Sequence, residues 1–103
     1  MLQLMVLYPQ PADVQQFEAD YINHMALFHE KTGIPVTARP YTVTKFLSAP
    51  EETATYYQMF AMPFESMEIL QATMSSPAMQ EIAADANRIS SGGTITVLIG
   101  NSE

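Results

Sequence analysis

Apolar residues run almost unbroken from Leu2 to Tyr8 and stop at Pro9 and Pro11. Beyond the prolines they recur every three or four positions. The first pattern predicts a central strand buried on both faces. The second predicts an amphipathic helix of about 18 residues, roughly 27 Å long. Asp13 is placed to cap it, with Gln16 three residues on to reach back, and Gly33 follows Lys31 as a C-terminal stop. At about 100° per residue, Phe17, Tyr21, His24 and Phe28 fall within roughly 60° of one another, flanked by Val14 and Met25. One histidine therefore sits inside an apolar stripe.

From Val36 to Leu47 the chain is rich in β-branched and aromatic residues, with Tyr41, Val43 and Leu47 on one side and Thr42, Thr44 and Phe46 on the other. Pro40 lacks an amide donor, so this strand should lie at a sheet edge, bulge at Pro40, or begin after it. The polar stretch SAPEETAT reads as a loop, and Tyr56 to Met62 as a third strand, central and apolar on both faces. Ser66 caps a short helix, and Ser76-Pro77 opens a second whose inner stripe is Met79, Ile82, Ala83, Ala86 and Ile89. Ser90, Ser91, Gly92 and Gly93 end that helix, and Thr94 to Gly100 forms the last strand.

The order β-α-β-β-α-β, under the right-handed crossover rule, predicts an α+β ferredoxin-like sandwich: four antiparallel strands with both helical segments on one face. The strands carrying Met5 and Met59 have apolar residues pointing both ways, so the uncovered face would expose a larger patch than a soluble monomer tolerates. A second copy, packed sheet to sheet across a two-fold axis, is the expected cover.

Composition narrows the function. The chain has 103 residues, enough for a single domain spanning 1–103, with 48% hydrophobic and 15% charged residues. Eleven acidic against four basic residues give a net charge of −7, which repels phosphate backbones and anionic lipid and argues against nucleic-acid and membrane partners. Cysteine is absent, which removes disulfides, thiolate nucleophiles and Cys-type zinc sites and suits a reducing compartment. The start MLQLMVLYP lacks the basic region and cleavage site of a signal peptide, so a cytoplasmic location is expected.

His24 is the first candidate for chemistry, because a buried imidazole without a hydrogen-bond partner costs about 1–3 kcal/mol. It either bonds a carbonyl or a tyrosine hydroxyl in the core, or stands at the mouth of a cavity as general base, ligand donor or axial haem ligand. Tyr21, one turn earlier, can lend its hydroxyl to the same site. Phe17, Phe28, Met25, Tyr8 and Met59 are candidates for an apolar ligand pocket, and also for plain core. His29, about 140° round the helix from His24, is expected to face solvent and cannot share a metal with it. Asp13, Glu18, Asp20, Glu51, Glu52, Glu65, Glu68, Glu81 and Asp85 are scattered over caps and polar faces and read as solvated surface. Phosphate-loop, nucleophile-elbow and two-histidine zinc motifs are all missing, and no metal site or cofactor is indicated.

The strand LMVLYPQP, the helix bearing Phe17, Tyr21, His24 and Leu27 before Gly33, and the segment FESMEILQATMSSPAMQEIAAD leading to Gly92 and Gly93 together resemble the EthD family. These are small dimeric α/β-barrel proteins named from a gene cluster for ether degradation. The resemblance spans nearly the whole chain. Ala26 stands where relatives often have proline, two residues after the helix histidine. The wider superfamily includes cofactor-independent monooxygenases and haem-degrading enzymes; the chain has no tryptophan to match the catalytic one of several such oxygenases. The resemblance implies a homodimer with a small hydrophobic ligand. It further implies either an oxidoreductase of the monooxygenase kind, with His24 as general base on a hydrophobic or phenolic compound, or a non-catalytic accessory protein holding such a compound. A module that only dimerises through its sheet is the third reading.

Overall fold

β1 (Leu2–Pro9) occupies the middle of a four-stranded antiparallel sheet, with the order β2-β3-β1-β4. The structure, a computed structural model, describes residues 1–48 and 53–103, so Glu51, Glu52 and part of the SAPEETAT stretch lie outside it. The chain continues through α1 (Val14–Thr32), β2 (Thr42–Lys45), β3 (Tyr56–Phe64), α2 (Met67–Ser75), α3 (Pro77–Ile89) and β4 (Thr96–Asn101). This is the ferredoxin-like α+β arrangement expected from the apolar pattern.

The helix boundaries are set by local chemistry. Asp13 Oδ1 accepts the amide of Gln16 at 3.1 Å, and Gly33 ends α1 in the left-handed conformation, φ 76°, with its amide donating to the His29 carbonyl. The Gln16 side chain does not reach back to the cap; it donates forward to Asp20 at 3.0 Å. Ser66 and Ser76 each accept an amide three residues on, from Ile69 and Met79, and Pro77 occupies the first turn of α3, where its missing donor costs nothing.

β2 is shorter than its composition suggests. It begins after Pro40, spans four residues at the sheet edge, and leaves Leu47 90% exposed instead of on the inner side with Tyr41 and Val43. Phe46 still bonds its amide to the Tyr57 carbonyl, but the chain then leaves the sheet.

Strand alternation separates the two faces. Leu4, Val6 and Tyr8 of β1 and Phe60, Met62 and Phe64 of β3 face the helices, where Phe17, Tyr21, Phe28, Leu70, Ile82, Ala86 and Ile89 bury against them. Met5 pairs with Ala61 and Leu98, and Leu7 with Met59, on the opposite face. The register slips between Tyr8 and Pro9, where Pro9 meets Tyr56 and Tyr8 meets Gln58. Tyr57 is the extra residue of a β-bulge, which turns its ring onto Phe17 at 5.5 Å.

Candidate functional site

The helix layer does not seal completely onto the sheet. A cavity of about 130 Å³ remains, with Leu4, Val6 and Phe60 as its floor, His24, Met25 and Phe28 of α1 on one side, and Met79, Ile82, Ala83 and Ala86 of α3 on the other. Ile95 and Val97 close the β4 end, and Tyr8 rises from the floor. Among the lining residues Met74, Gln80, Ala83 and Val97 are exposed, so the cavity opens between the C-terminal end of α2, α3 and β4. The lining is almost wholly apolar; His24, Tyr8 and Gln80 carry its polar side chains.

His24 is 4% exposed and lines the cavity from α1. Its Nδ1–H donates to Asp85 Oδ2 at 2.8 Å, and Asp85 Oδ1 accepts from Arg88 Nε at 2.8 Å. Burial lowers the His24 pKa below the ordinary 6.5, against the upward pull of the Asp85 hydrogen bond and charge. Burial would raise the Asp85 carboxyl, but hydrogen bonds from His24 and Arg88 outweigh it and hold the group below 3.8. At neutral pH the pair is thus a neutral imidazole with its proton on Nδ1, facing a carboxylate. Nε2 is left as the basic nitrogen, the arrangement that orients a general base.

Asp85 was not recognisable as a partner while every carboxylate read as solvated surface. One signal was present: about 60° separates Asp85 from Ile82, and about 40° from Ile89, around a helix of 100° per residue. It therefore borders the inner stripe of α3.

The other candidates divide. Tyr8, Met25 and Phe28 line the cavity with His24. Phe17 is 2% exposed but packs beside the cavity, against Tyr8 at 5.3 Å and Tyr21 at 5.8 Å. Tyr21 lies with its ring 5.7 Å from the His24 ring, yet does not line the cavity. Its hydroxyl sits beside the Gln58 amide, and among the described residues neither that hydroxyl nor Gln58 Nε2 reaches a partner in regular hydrogen-bond geometry. Met59 is not in the pocket. Its neighbour Phe60 faces the helices, and the strand period of two puts Met59 on the outer face.

His29 is buried, 9% exposed, where solvent exposure was expected. The segment after Gly33 folds back over it: Nδ1–H donates to the Ile34 carbonyl and Nε2 accepts from the Tyr41 hydroxyl, both at 2.9 Å. It is a structural tie. A second polar cluster joins Lys45, Glu18, Tyr57 and Gln58. Lys45 Nζ reaches Glu18 at 2.5 Å and Gln58 Oε1 at 2.8 Å, and the Tyr57 hydroxyl donates to Glu18. The bonds from Lys45 and Tyr57 lower the Glu18 carboxyl, and the Glu18 bond pushes the Tyr57 phenol up to about 12. Among the described residues, no three histidine or carboxylate side chains converge as a metal site.

The geometry defines a ferredoxin-like domain whose helix layer and sheet enclose a small apolar cavity with an Asp-oriented histidine in its wall. The chain belongs to the EthD domain family, whose model matches residues 9–93. A protein from Bacillus halodurans, described as an ethyl tert-butyl ether d (EthD) family protein, has 30% identity to it over 100% of this chain and 99% of that one, with a TM-score of 0.80. Two proteins described as dimeric, ferredoxin-like and of unknown function share the fold. The one from Jannaschia has 12% identity over 99% and 100% of the two chains with a TM-score of 0.70; the one from Thermobifida fusca has 8% identity over 96% and 88% with a TM-score of 0.65. No curated protein matches the sequence. Among the described residues, no helix is long and apolar enough to cross a membrane.

Proposed function

We propose that this EthD-family chain binds a small hydrophobic, phenolic or enolic compound in the cavity beneath α1 and α3, and that His24 acts there as general base. The observation carrying this is the 2.8 Å contact between His24 Nδ1 and Asp85 beside an almost wholly apolar cavity. An acidic O–H of the ligand donates to Nε2, the proton moves to the imidazole, and the Asp85 carboxylate stabilises the imidazolium. The resulting anion is the electron-rich form that dioxygen from solution oxidises, one oxygen entering the ligand and the other leaving as water with two of its hydrogens, which suits an oxidoreductase of the monooxygenase kind acting in the cytoplasm. Cavities of about 150 Å³ take up benzene, so a single aromatic ring is the right scale of ligand. Tyr21 holds the imidazole plane through ring contact.

We further propose a homodimer through the outer sheet face, where Met5, Met59 and the 47%-exposed Leu98 present an apolar surface. The dimeric descriptions of the two fold neighbours support this reading. A charge on that face beside Met5, Leu98→Glu, should shift sedimentation from dimer to monomer. A wild-type monomer at micromolar concentration overturns the proposal.

The base is tested with 4-nitrophenol, whose anion is coloured. Wild-type protein should bind it saturably and raise the anion fraction over that in buffer at the same pH. His24→Ala should bind it without that rise. Binding with no increase in the anion leaves a non-catalytic carrier, and no binding removes both readings.

A further inference from the structure

The cavity has a second polar group in its wall. Tyr8 is 2% exposed and lines the cavity from the end of β1, and among the described residues its hydroxyl takes part in no hydrogen bond. The ring is fixed on three sides. Phe17 meets it edge-on at 5.3 Å, Tyr21 at 5.7 Å, and Ala86 and Ile89 of α3 pack in the same cluster. Ala86 is the neighbour of Asp85, so the phenol lies at the His24 end of the cavity, within electrostatic reach of that carboxylate. Burial first, then the proximity of Tyr21 and Asp85, raises the Tyr8 pKa well above 10.0. The phenol is a neutral donor at any physiological pH.

We infer that Tyr8 and His24 form a two-point clamp, and that the ligand is a small hydroxylated aromatic or enol carrying a second oxygen, a carbonyl or ether, as a hydrogen-bond acceptor. The acidic O–H goes to His24 Nε2, and the acceptor oxygen takes the Tyr8 proton. The inference rests on the general-base reading above and adds the substrate class. The reason is one of satisfaction. A rigid phenol facing an apolar cavity loses a hydrogen bond with every ligand that lacks an acceptor, whereas a ligand with one regains it. Two fixed polar groups in a pocket this small also set the orientation of the ring.

The test uses pairs of equal size, the hydroxyacetophenones and the corresponding ethylphenols, titrated by calorimetry. They differ by a carbonyl oxygen in place of two hydrogens. In at least one positional isomer the ketone should bind the wild type about 3- to 10-fold more tightly, the worth of one neutral hydrogen bond. Tyr8→Phe should bring that ratio to about one. His24→Ala should retain it, because the acceptor oxygen is held by Tyr8 and not by the imidazole. A ratio that survives in Tyr8→Phe, or a wild type indifferent to the carbonyl in all isomers, overturns the clamp and leaves the base reading standing. Failure of every ketone and ethylphenol to bind the wild type overturns both.

Discussion

Asp85→Asn isolates the electrostatic part of the His24 site, because the amide keeps an oxygen able to accept from Nδ1–H and removes only the charge. A hydrogen bond to a charged partner is worth about 1.5–3 kcal/mol, roughly twice a neutral one. The Asp85 side chain is 16% exposed, so solvent screens part of this and the lower end applies. The neutral bond retains about half of this, so at about 1.4 kcal/mol per pKa unit the imidazolium should lose enough to lower the His24 pKa by about half a unit. The ratio of transferred to untransferred proton in bound nitrophenol should fall about threefold at fixed pH. Arg88→Ala is the sign control. The guanidinium charge lowers the His24 pKa, so its removal should raise it, and by less, since the Arg88 side chain is 61% exposed. The assay is an NMR titration of the two imidazoles, assigned with His24→Ala. Opposite displacements in the two variants are the expected outcome; movement in the same direction, or none in Asp85→Asn, would refute the assignment of Asp85 as the partner that tunes His24.

Stability should depend on pH through the same residue. Its folded-state pKa lies below the ordinary 6.5, so the unfolded chain takes up a proton more readily. The contribution is complete above 6.5, is lost as pH falls from there toward the folded-state value, and is constant below it. In denaturant titrations at stepped pH, His24→Gln should flatten that slope; an unchanged slope contradicts the depressed pKa. Two glycines should rank by cause. Gly33→Ala meets nothing within 4 Å and costs only the left-handed backbone, about 1 kcal/mol, read as a fall in melting temperature of about 4–8 °C. Gly92→Ala would set its Cβ 1.7 Å from the Gln10 carbonyl oxygen, so its cost should reach the top of the about 1–3 kcal/mol range for overpacking or exceed it. Equal melting temperatures for the two variants would contradict this.

Much of the architecture was legible because it is local. The caps at Asp13, Ser66 and Ser76, the stop at Gly33 and the periodicity that turned His24 inward all act within one or two helical turns, and each holds in the structure. Pro40 told where a strand could not pair, and β2 does begin after it, at the sheet edge. What the sequence alone could not decide were relations between segments far apart in the chain. Strand parity in an all-apolar run is ambiguous, so only the pairing of β3 with β1 placed Met59 outside and Phe60 inside. His29 became buried because a loop returned over it, and Leu47 became exposed because the chain left the sheet early. The 61-residue separation between His24 and Asp85 is closed by α1 packing against α3. A pattern read along one helix can say that a histidine points inward, but the identity of the group waiting there belongs to the packing of two helices on a common sheet.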